Sequence, residues 1–466
     1  MSLPRRAFLS GAVGVGAALL TGGAGPLGRT NQPLSLWTTD LEPRRRITMR
    51  HLLDVQRALS GGPRVNIEVV PEEDLVDLLR LVRAGRSLLP RPDLINTGAD
   101  ALLALDAEGF LDAAATARVV VDVGALDFQP GALAALRRPD GSLLAVPFHG
   151  WPQVIWTRAD WLADEHGLEP PRTIDELLTA ARLLNDPARD RRGVILGTGG
   201  DYYTQQCFMM IARAFGAAVF TADGPSLDSP GMVEALRVYR ELANHAGPGT
   251  LTWRARDYYL QGRAGMLFYS TFLMDDLAIP EVAADSLGGD HFDDLPGAPF
   301  DSTLVRHSAP VVALRQGGRV GAFNSINGLG LTARGDPARR RAARQVARFL
   351  FRRDAYITWL HMSPGGMLPV LGGIGGDDAF LRDRLGVLRT FGRDTTQRLA
   401  DALKTPATFS IVSGHDPGRA YAEPRAGLIY AERVVGHMVA RVVGGFRDPA
   451  SAAAEAQREA LRLLGR

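Results

Sequence analysis

Cysteine and lysine are almost absent from this chain: Cys207 and Lys404 are the single examples in 466 residues. One cysteine excludes an internal disulfide and any metal site built on paired thiolates. Cys207, between Gln206 and Phe208, reads as a small buried apolar residue. Catalytic signatures are missing too. No GxSxG elbow, HExxH, P-loop or GxGxxG occurs at a strand–helix junction. The nine histidines are scattered, and none stands four residues from another on a helix. The adjacent carboxylates Asp275-Asp276 and Asp293-Asp294 would point apart on a strand and diverge by about 100° on a helix. An enzyme using two carboxylates from distant positions, as glycosidases do, stays open. Charge of either sign is not in excess: the formal net charge is +2, which gives no reason to expect a nucleic-acid partner.

What is present is a globular composition, 46% hydrophobic and 22% charged. The length suits two lobes of roughly 200 residues each. Basic residues are nearly all arginine, and with the abundant Ala and Gly this reflects GC-rich coding more than an arginine-based binding function. The run Arg44-Arg45-Arg46 reads as a solvated helix start. At the N-terminus, Pro4-Arg5-Arg6-Ala7-Phe8-Leu9 precedes an apolar stretch from Gly11 to Leu20. Paired arginines before a glycine-diluted apolar segment read as a twin-arginine export signal over 1–30. The stretch is short for a transmembrane helix, and an uncleaved signal acting as an anchor is the alternative.

After the signal, Pro33 to Trp37 reads as a strand and Thr48 to Leu59 as a helix stopped by Ser60-Gly61-Gly62-Pro63. Val65, Ile67 and Val69 alternate as one face of a strand. Asp74 to Ala84 reads as a helix, Pro90 to Ile95 as a short buried strand, and Leu102 to Gly109 as a helix. This alternation predicts βαβ units and a mostly parallel sheet. Farther on, Val154-Ile155-Trp156 is strand-like and Asp160 to His166 helical. Thr173 and Glu176 form a capping box, Asp223-Gly224 marks a hairpin, and Ser229-Pro230 and Asp336-Pro337 start helices. Ala283 to Arg319 reads as loop, strand-like order resumes at Gly328, one helix is expected over Ile429 to Val443, and the last helix spans Asp448 to Leu464.

The stretch Asp140 to Leu178, DGSLLAVPFHGWPQVIWTRADWLADEHGLEPPRTIDELL, carries the most information. Its order of turn, strand, polar-aromatic loop, apolar run and capped helix resembles the middle of the extracellular solute-binding proteins of ABC importers, in the sugar-binding, maltose-binding-protein-like branch. The phrases VNIEVV, PDLI, EGFLD, GRAGM and the closing DPASAAA extend the resemblance from Leu34 to the terminal helix. It implies an α/β, two-lobed periplasmic-binding-protein fold with several hinge crossings. The expected division is 33–148 plus 301–362 for the N-terminal lobe and 149–300 plus 363–466 for the C-terminal lobe. Strand Val146-Pro147 would lead to the hinge, and a loop from Phe148 to Gln153 would face the cleft. The cysteine that anchors many relatives as lipoproteins is missing, so a periplasmic or secreted protein is expected. The Pro-rich segment before the returning strand is irregular, with Leu295-Pro296-Gly297 coming early.

A sugar offers an apolar ring face and a rim of hydroxyls, which suit aromatic side chains and side-chain hydrogen bonds on loops at strand ends. Covering about 100 Å² of apolar surface contributes roughly 2.5 kcal/mol, and micromolar affinity requires about 8 kcal/mol. Where the resemblance places the cleft, the candidate ligand contacts are Trp37, Asp40, Thr97, Asp100, His149, Trp151, Gln153, Tyr202, Trp253, Tyr269, Asn327, Gly365 and Arg425. Several have a structural alternative. Trp37 serves equally as core, Asp40 and Asp100 as helix caps, and Tyr202 or Trp253 as a helix start, while Trp156 and Trp161 read as core. No cofactor or metal is implied. The implied partners are a small solute, expected to be a carbohydrate, and an importer's transmembrane subunits, with the protein monomeric. The rival readings are an exported glycosidase or lyase, and a subunit that reports ligand to a membrane receptor.

Overall fold

The computed structural model describes residues 32–287, 299–333, 336–404 and 421–465. The signal expected over 1–30, the Asp293-Asp294 pair, the Leu295-Pro296-Gly297 phrase, His291 and His415 lie outside the described residues.

Strands β1 (Leu34–Thr38), β2 (Val65–Val69) and β3 (Leu94–Gly98) pair in parallel with β1 in the middle. They alternate with α1 (Pro43–Ser60), α2 (Leu75–Arg83) and α3 (Ala99–Ala107). Helix α1 begins earlier than its apolar spacing suggests. Pro43 occupies its first turn, the Glu42 carboxylate accepts the Arg45 N–H, and Gly61 ends the helix at φ 60°. The chain moves outward from β1 to β2 and then back across β1 to β3. Right-handed crossovers therefore put α1 and α2 on opposite faces of the sheet. Helix α3 packs on α2, and so shares its face.

Five further strands complete the sheet: β4 (Val146–Arg158), β5 (Met266–Ser270), β6 (Ser308–Val311), β7 (Phe323–Leu331) and β8 (Leu368–Pro369). The order is β8-β4-β7-β3-β1-β2, with β5 and β6 also paired to β4. The expectation of a mostly parallel sheet is corrected here. Beyond β1 to β3 every pairing between these strands is antiparallel, because β7 and β8 return alongside β4 instead of crossing over.

Strand β4 also corrects the loop expected from Phe148 to Gln153, which is extended throughout. Its first part pairs with β7, from Val146↔Leu329 to Gln153↔Phe323, and with β8 at His149 and Gly150. Its second part pairs with β5 from Gln153 and with β6 from Ile155. Pro152 falls in the gap on that edge, after β8 has ended and before β5 begins, where a missing N–H breaks no ladder. Gly150 is required by packing: a Cβ there would stand 2.7 Å from Leu403 Cδ1 and 2.9 Å from Ile326 Cδ1.

The remaining helices used below are α4 (Tyr202–Ala214), α5 (Leu273–Ala278), α6 (Pro337–Leu350), α7 (Arg353–Leu360), α8 (Val387–Ala402), α9 (Pro424–Ala431), α10 (Val434–Val443) and α11 (Pro449–Leu463). Helices α6 and α7 pack on α1, whereas α10 lies on α4 and on α11. The single helix expected over Ile429 to Val443 is two, broken at Arg433, whose φ is 55°. The segment from Ala283 to Arg319 is not all loop either. It includes the end of helix Pro280–Leu287, strand β6, and a hairpin of Leu314–Gln316 with Arg319–Gly321 that rests on α4. The capping box forms as expected, with Thr173 and Glu176 satisfying each other's backbone at the head of Ile174–Leu183.

Candidate ligand cleft

Parallel strands end their carboxyl edges in polar residues here, and a ligand site forms outside such edges where strand order reverses. At the end of β1, the Thr38 hydroxyl accepts the Asp40 N–H at 3.1 Å and the Asn96 amide at 3.3 Å. Thr39 donates to the Thr97 hydroxyl at 3.1 Å, tying the ends of β1 and β3 together. Asp40 pairs with Arg45 at 3.4 Å, and burial raises its pKa even against that neighbouring charge. Asp100 lies buried in the first turn of α3. Glu72, just before α2, places a carboxylate oxygen 3.1 Å from where a Cβ on Gly98 would stand. Burial pushes Glu72 up to about 8, and the nearby charges of Asp100 and Glu73 push the same way.

The crossing strand presents His149, Trp151 and Gln153. Burial lowers the His149 imidazole to about 3, with the Arg45 charge adding to the effect. The ring is therefore neutral, and its Nδ1 lies 3.5 Å from the Trp359 indole N–H, which donates to it. Trp151 is half-buried, 6.0 Å between ring centroids from Phe323. Gln153 donates to the Cys207 sulfur at 3.7 Å. Asn327 sits opposite His149 on β7, next to a register shift at Asn327/Gly328.

Facing these, α4 begins with Tyr202, whose ring stacks on Tyr430 of α9 at 4.6 Å and 4°. Tyr269 closes β5 and accepts a hydrogen bond from Arg256 at 2.9 Å. Arg256 also approaches Asp276 at 3.7 Å and lies 5.2 Å from the Trp253 ring, which is 43% exposed. Beyond β5, the Phe272 ring lies under the Arg45 guanidinium at 4.7 Å. Asp275 accepts hydrogen bonds from the Ser363 hydroxyl and from Gly365 N–H, the latter at 3.3 Å. Burial still pushes it up to about 7.

The sequence candidates therefore divide. Asp40, Thr97, Asp100, Trp151, Tyr202, Trp253, Tyr269, Asn327 and Gly365 fall around the ends of β1, β3, β5 and the β4 crossing. His149 and Gln153 lie on the same crossing, but their polar atoms are engaged with Trp359 and Cys207. Trp37 takes its core alternative: it is wholly buried, and its indole N–H donates to the Pro90 carbonyl at 3.1 Å. Arg425 sits apart, its exposed guanidinium paired with Glu423 and lying 4.8 Å from the Phe220 ring. Sequence reasoning missed Arg45, Glu72, Arg256, Phe272, Asp275 and Tyr430. Asp275 reads in the sequence only as half of an adjacent carboxylate pair and Arg45 only within a solvated run, while Arg256 stands one helical turn after Trp253. Among the described residues no group of three His, Cys, Asp or Glu side chains could hold a metal ion, and no helix is long and apolar enough to cross a membrane. Rings, amides and paired charges of this kind suit noncovalent capture of a polar solute.

Comparison with known proteins bears on the same arrangement. Residues 58–296 match the family model described as bacterial extracellular solute-binding protein. Over 348 residues, 73% of this chain and 74% of the relative, the sequence is 31% identical to the putative ABC transporter periplasmic-binding protein YcjN of Escherichia coli (strain K12). Among solved structures, an ABC transporter solute-binding protein from Agrobacterium radiobacter K84 in complex with ribitol matches with a TM-score of 0.70 at 21% identity. The match covers 92% of this chain and 98% of that one. Maltose-bound MalE3 of T. maritima matches at 0.67 and 16%, over 92% and 99%. UgpB from Mycobacterium tuberculosis with glycerophosphocholine matches at 0.69 and 15%, over 94% and 99%. These structural likenesses establish a two-lobed α/β fold.

Proposed function

We propose that this chain, which belongs to the bacterial extracellular solute-binding proteins, is the substrate-binding component of an ABC import system and captures a sugar or sugar-like solute outside the cytoplasmic membrane. The observation that carries the reading is that the polar ends of β1 and β3 are flanked by contacts with rings from the far side of the β4 crossing, Arg45 with Phe272 and Tyr430 with Tyr202. Such a set offers ring faces and hydrogen-bonding rims together. A solute touching both sides favours the closed arrangement, and an importer's transmembrane subunits read that shape. The ribitol named with one structural neighbour and the maltose with another support a polyol or carbohydrate.

In this reading the first lobe is 33–148 with 323–362. Residues 301–322 go with the second lobe, because β6 pairs with Ile155 to Arg158 and the following hairpin rests on α4. Of the later residues, Pro369 to Phe380 pack on the first lobe, through Val370 and Gly372 bonded to Gln129 and Asp127 and through Asp377 paired with Arg353, and Ala422 and α9 return to it at Arg137 and α3. Export follows the twin-arginine route, supported by Arg5-Arg6 and the apolar stretch after them. The protein works as a monomer and without cofactor, and it releases its solute unchanged. A thermal-shift screen against sugars and polyols tests this. A stabilising solute that is recovered intact by mass spectrometry is expected. Conversion of such solutes into products would overturn the reading in favour of a carbohydrate-active enzyme.

A further inference from the structure

We infer that the cleft admits a solute no longer than one sugar ring, or an open-chain polyol of similar length, because contacts between the two halves shut it at both faces of the sheet. This rests on the solute-binding reading above and narrows it. Helices α1 and α3 lie on opposite faces, so a groove along the carboxyl ends of β1 and β3 runs from one helix to the other. Each end is occupied by a bridge.

At the α1 end, Arg45 reaches from the first turn of α1 to lie 4.7 Å over the Phe272 ring, while Asp40 holds the guanidinium at 3.4 Å. Gly366 stands against Phe272 so closely that a Cβ there would overlap the ring. At the α3 end, α9 lies directly on α3. A Cβ at Gly427 would overlap the Ala104 nitrogen and the Leu103 side chain. The last turn of α9 then carries Tyr430 onto Tyr202 of α4, with Tyr202 Oη donating to the Ala431 carbonyl at 3.2 Å and Gln205 donating to the Tyr430 carbonyl at 3.3 Å. Between the bridges lie the Thr39 and Thr97 hydroxyls and the half-buried Trp151. A second sugar unit has to emerge at one end, and it does so by displacing a cation–π contact or a ring stack.

Isothermal titration calorimetry of the folded protein against ribitol, mannitol, a panel of hexoses, and di- and trisaccharides tests this directly. The expected result is a best ligand among the polyols or monosaccharides, with disaccharides weaker by roughly 3- to 30-fold, the scale of one such contact. Phe272→Ala removes the α1-end bridge and Tyr430→Ala the α3-end bridge. At least one should narrow that gap severalfold, with circular dichroism and melting checking that each variant folds. A trisaccharide bound as tightly as any monosaccharide overturns the size limit and leaves carbohydrate capture standing. An unchanged gap in both folded variants overturns the assignment of the limit to these bridges. A protein that binds no carbohydrate or polyol of any length overturns the underlying reading as well.

Discussion

Replacing Glu72 by Gln should stabilise the protein in mild alkali and do little in acid. The Glu72 carboxyl is pushed up to about 8 by burial first, and then by Asp100 and Glu73. Tyr202 and Tyr430, both close enough to feel its charge, offer it no compensating positive group. Near pH 4.5 and below, Glu72 is protonated in both the folded and unfolded chain and contributes no difference. Between about 4.5 and 8 the unfolded chain loses the proton while the folded chain keeps it, so folding becomes progressively less favourable. Above 8 both are ionised, and the full penalty is present. The shift alone converts to between 4 and 5 kcal/mol at about 1.4 kcal/mol per pH unit. Glu72 is partly exposed, and discounting for solvent screening leaves on the order of 2 kcal/mol. A lobe of about 200 residues should respond with a rise in melting temperature of about 4 °C or more at pH 9, and almost none at pH 5. Differential scanning calorimetry of Glu72→Gln against wild type at pH 5, 7 and 9 reads this directly. A difference that stays constant across the three pH values, or is largest at pH 5, would refute the electrostatic reasoning.

The two tryptophans that sequence alone left undecided should separate cleanly. Trp37→Ala loses a wholly buried indole and its bond to Pro90, and should cost about 3–5 kcal/mol in urea unfolding. Trp253→Ala, on an exposed ring, should leave the melting temperature nearly unchanged and weaken solute binding about tenfold in calorimetry. Arg339 donates to both Asp93 oxygens, at 2.6 and 3.0 Å, and to the Pro33 carbonyl, so Arg339→Ala removes a buried bidentate pair and should cost about 3–5 kcal/mol. Cys207 is wholly buried, and its thiol is pushed up to about 12. It should resist an aromatic disulfide reagent at pH 8 in the native protein and react as one thiol per chain in denaturant; prompt native reaction would contradict that burial.

Periodicity and caps were the legible part of this fold. The capping box at Thr173, the alternation of Val65, Ile67 and Val69, and the prolines at 230, 337 and 449 each act within one turn or strand, so a linear reading finds them. The β4 crossing was misread because Gly150 and Pro152 signal a loop locally. Both are there for tertiary reasons, one for the approach of Leu403 and the other for a gap between partner strands. The same division runs through the cleft. Thr97 and Asp100 were visible because they stand at the carboxyl end of a parallel strand and just after it. Tyr430 was not, since only the break at Arg433 and the seating of α9 on α3 bring it to Tyr202. Arg45 looked like one of three solvated arginines until α1 was placed with its first turn toward Phe272.

These placements set opposing tendencies on the proposed closure. A cation–π contact between Arg45 and Phe272 and a stack of Tyr202 on Tyr430 together favour the closed arrangement by about 1–3 kcal/mol. The crowding of Glu72 against Asp100 opposes it once Glu72 ionises, because separating the halves lets water back to the carboxylates. These terms act in opposite directions on the balance between the two arrangements. A solute shifts that balance by its difference in affinity between them. Raising the pH from about 4.5 to 8 shifts it toward opening, so solute affinity should fall over the interval in which Glu72→Gln gains its stability. An affinity that rises there instead would mean that Glu72 meets the solute as an anion and is relieved by it.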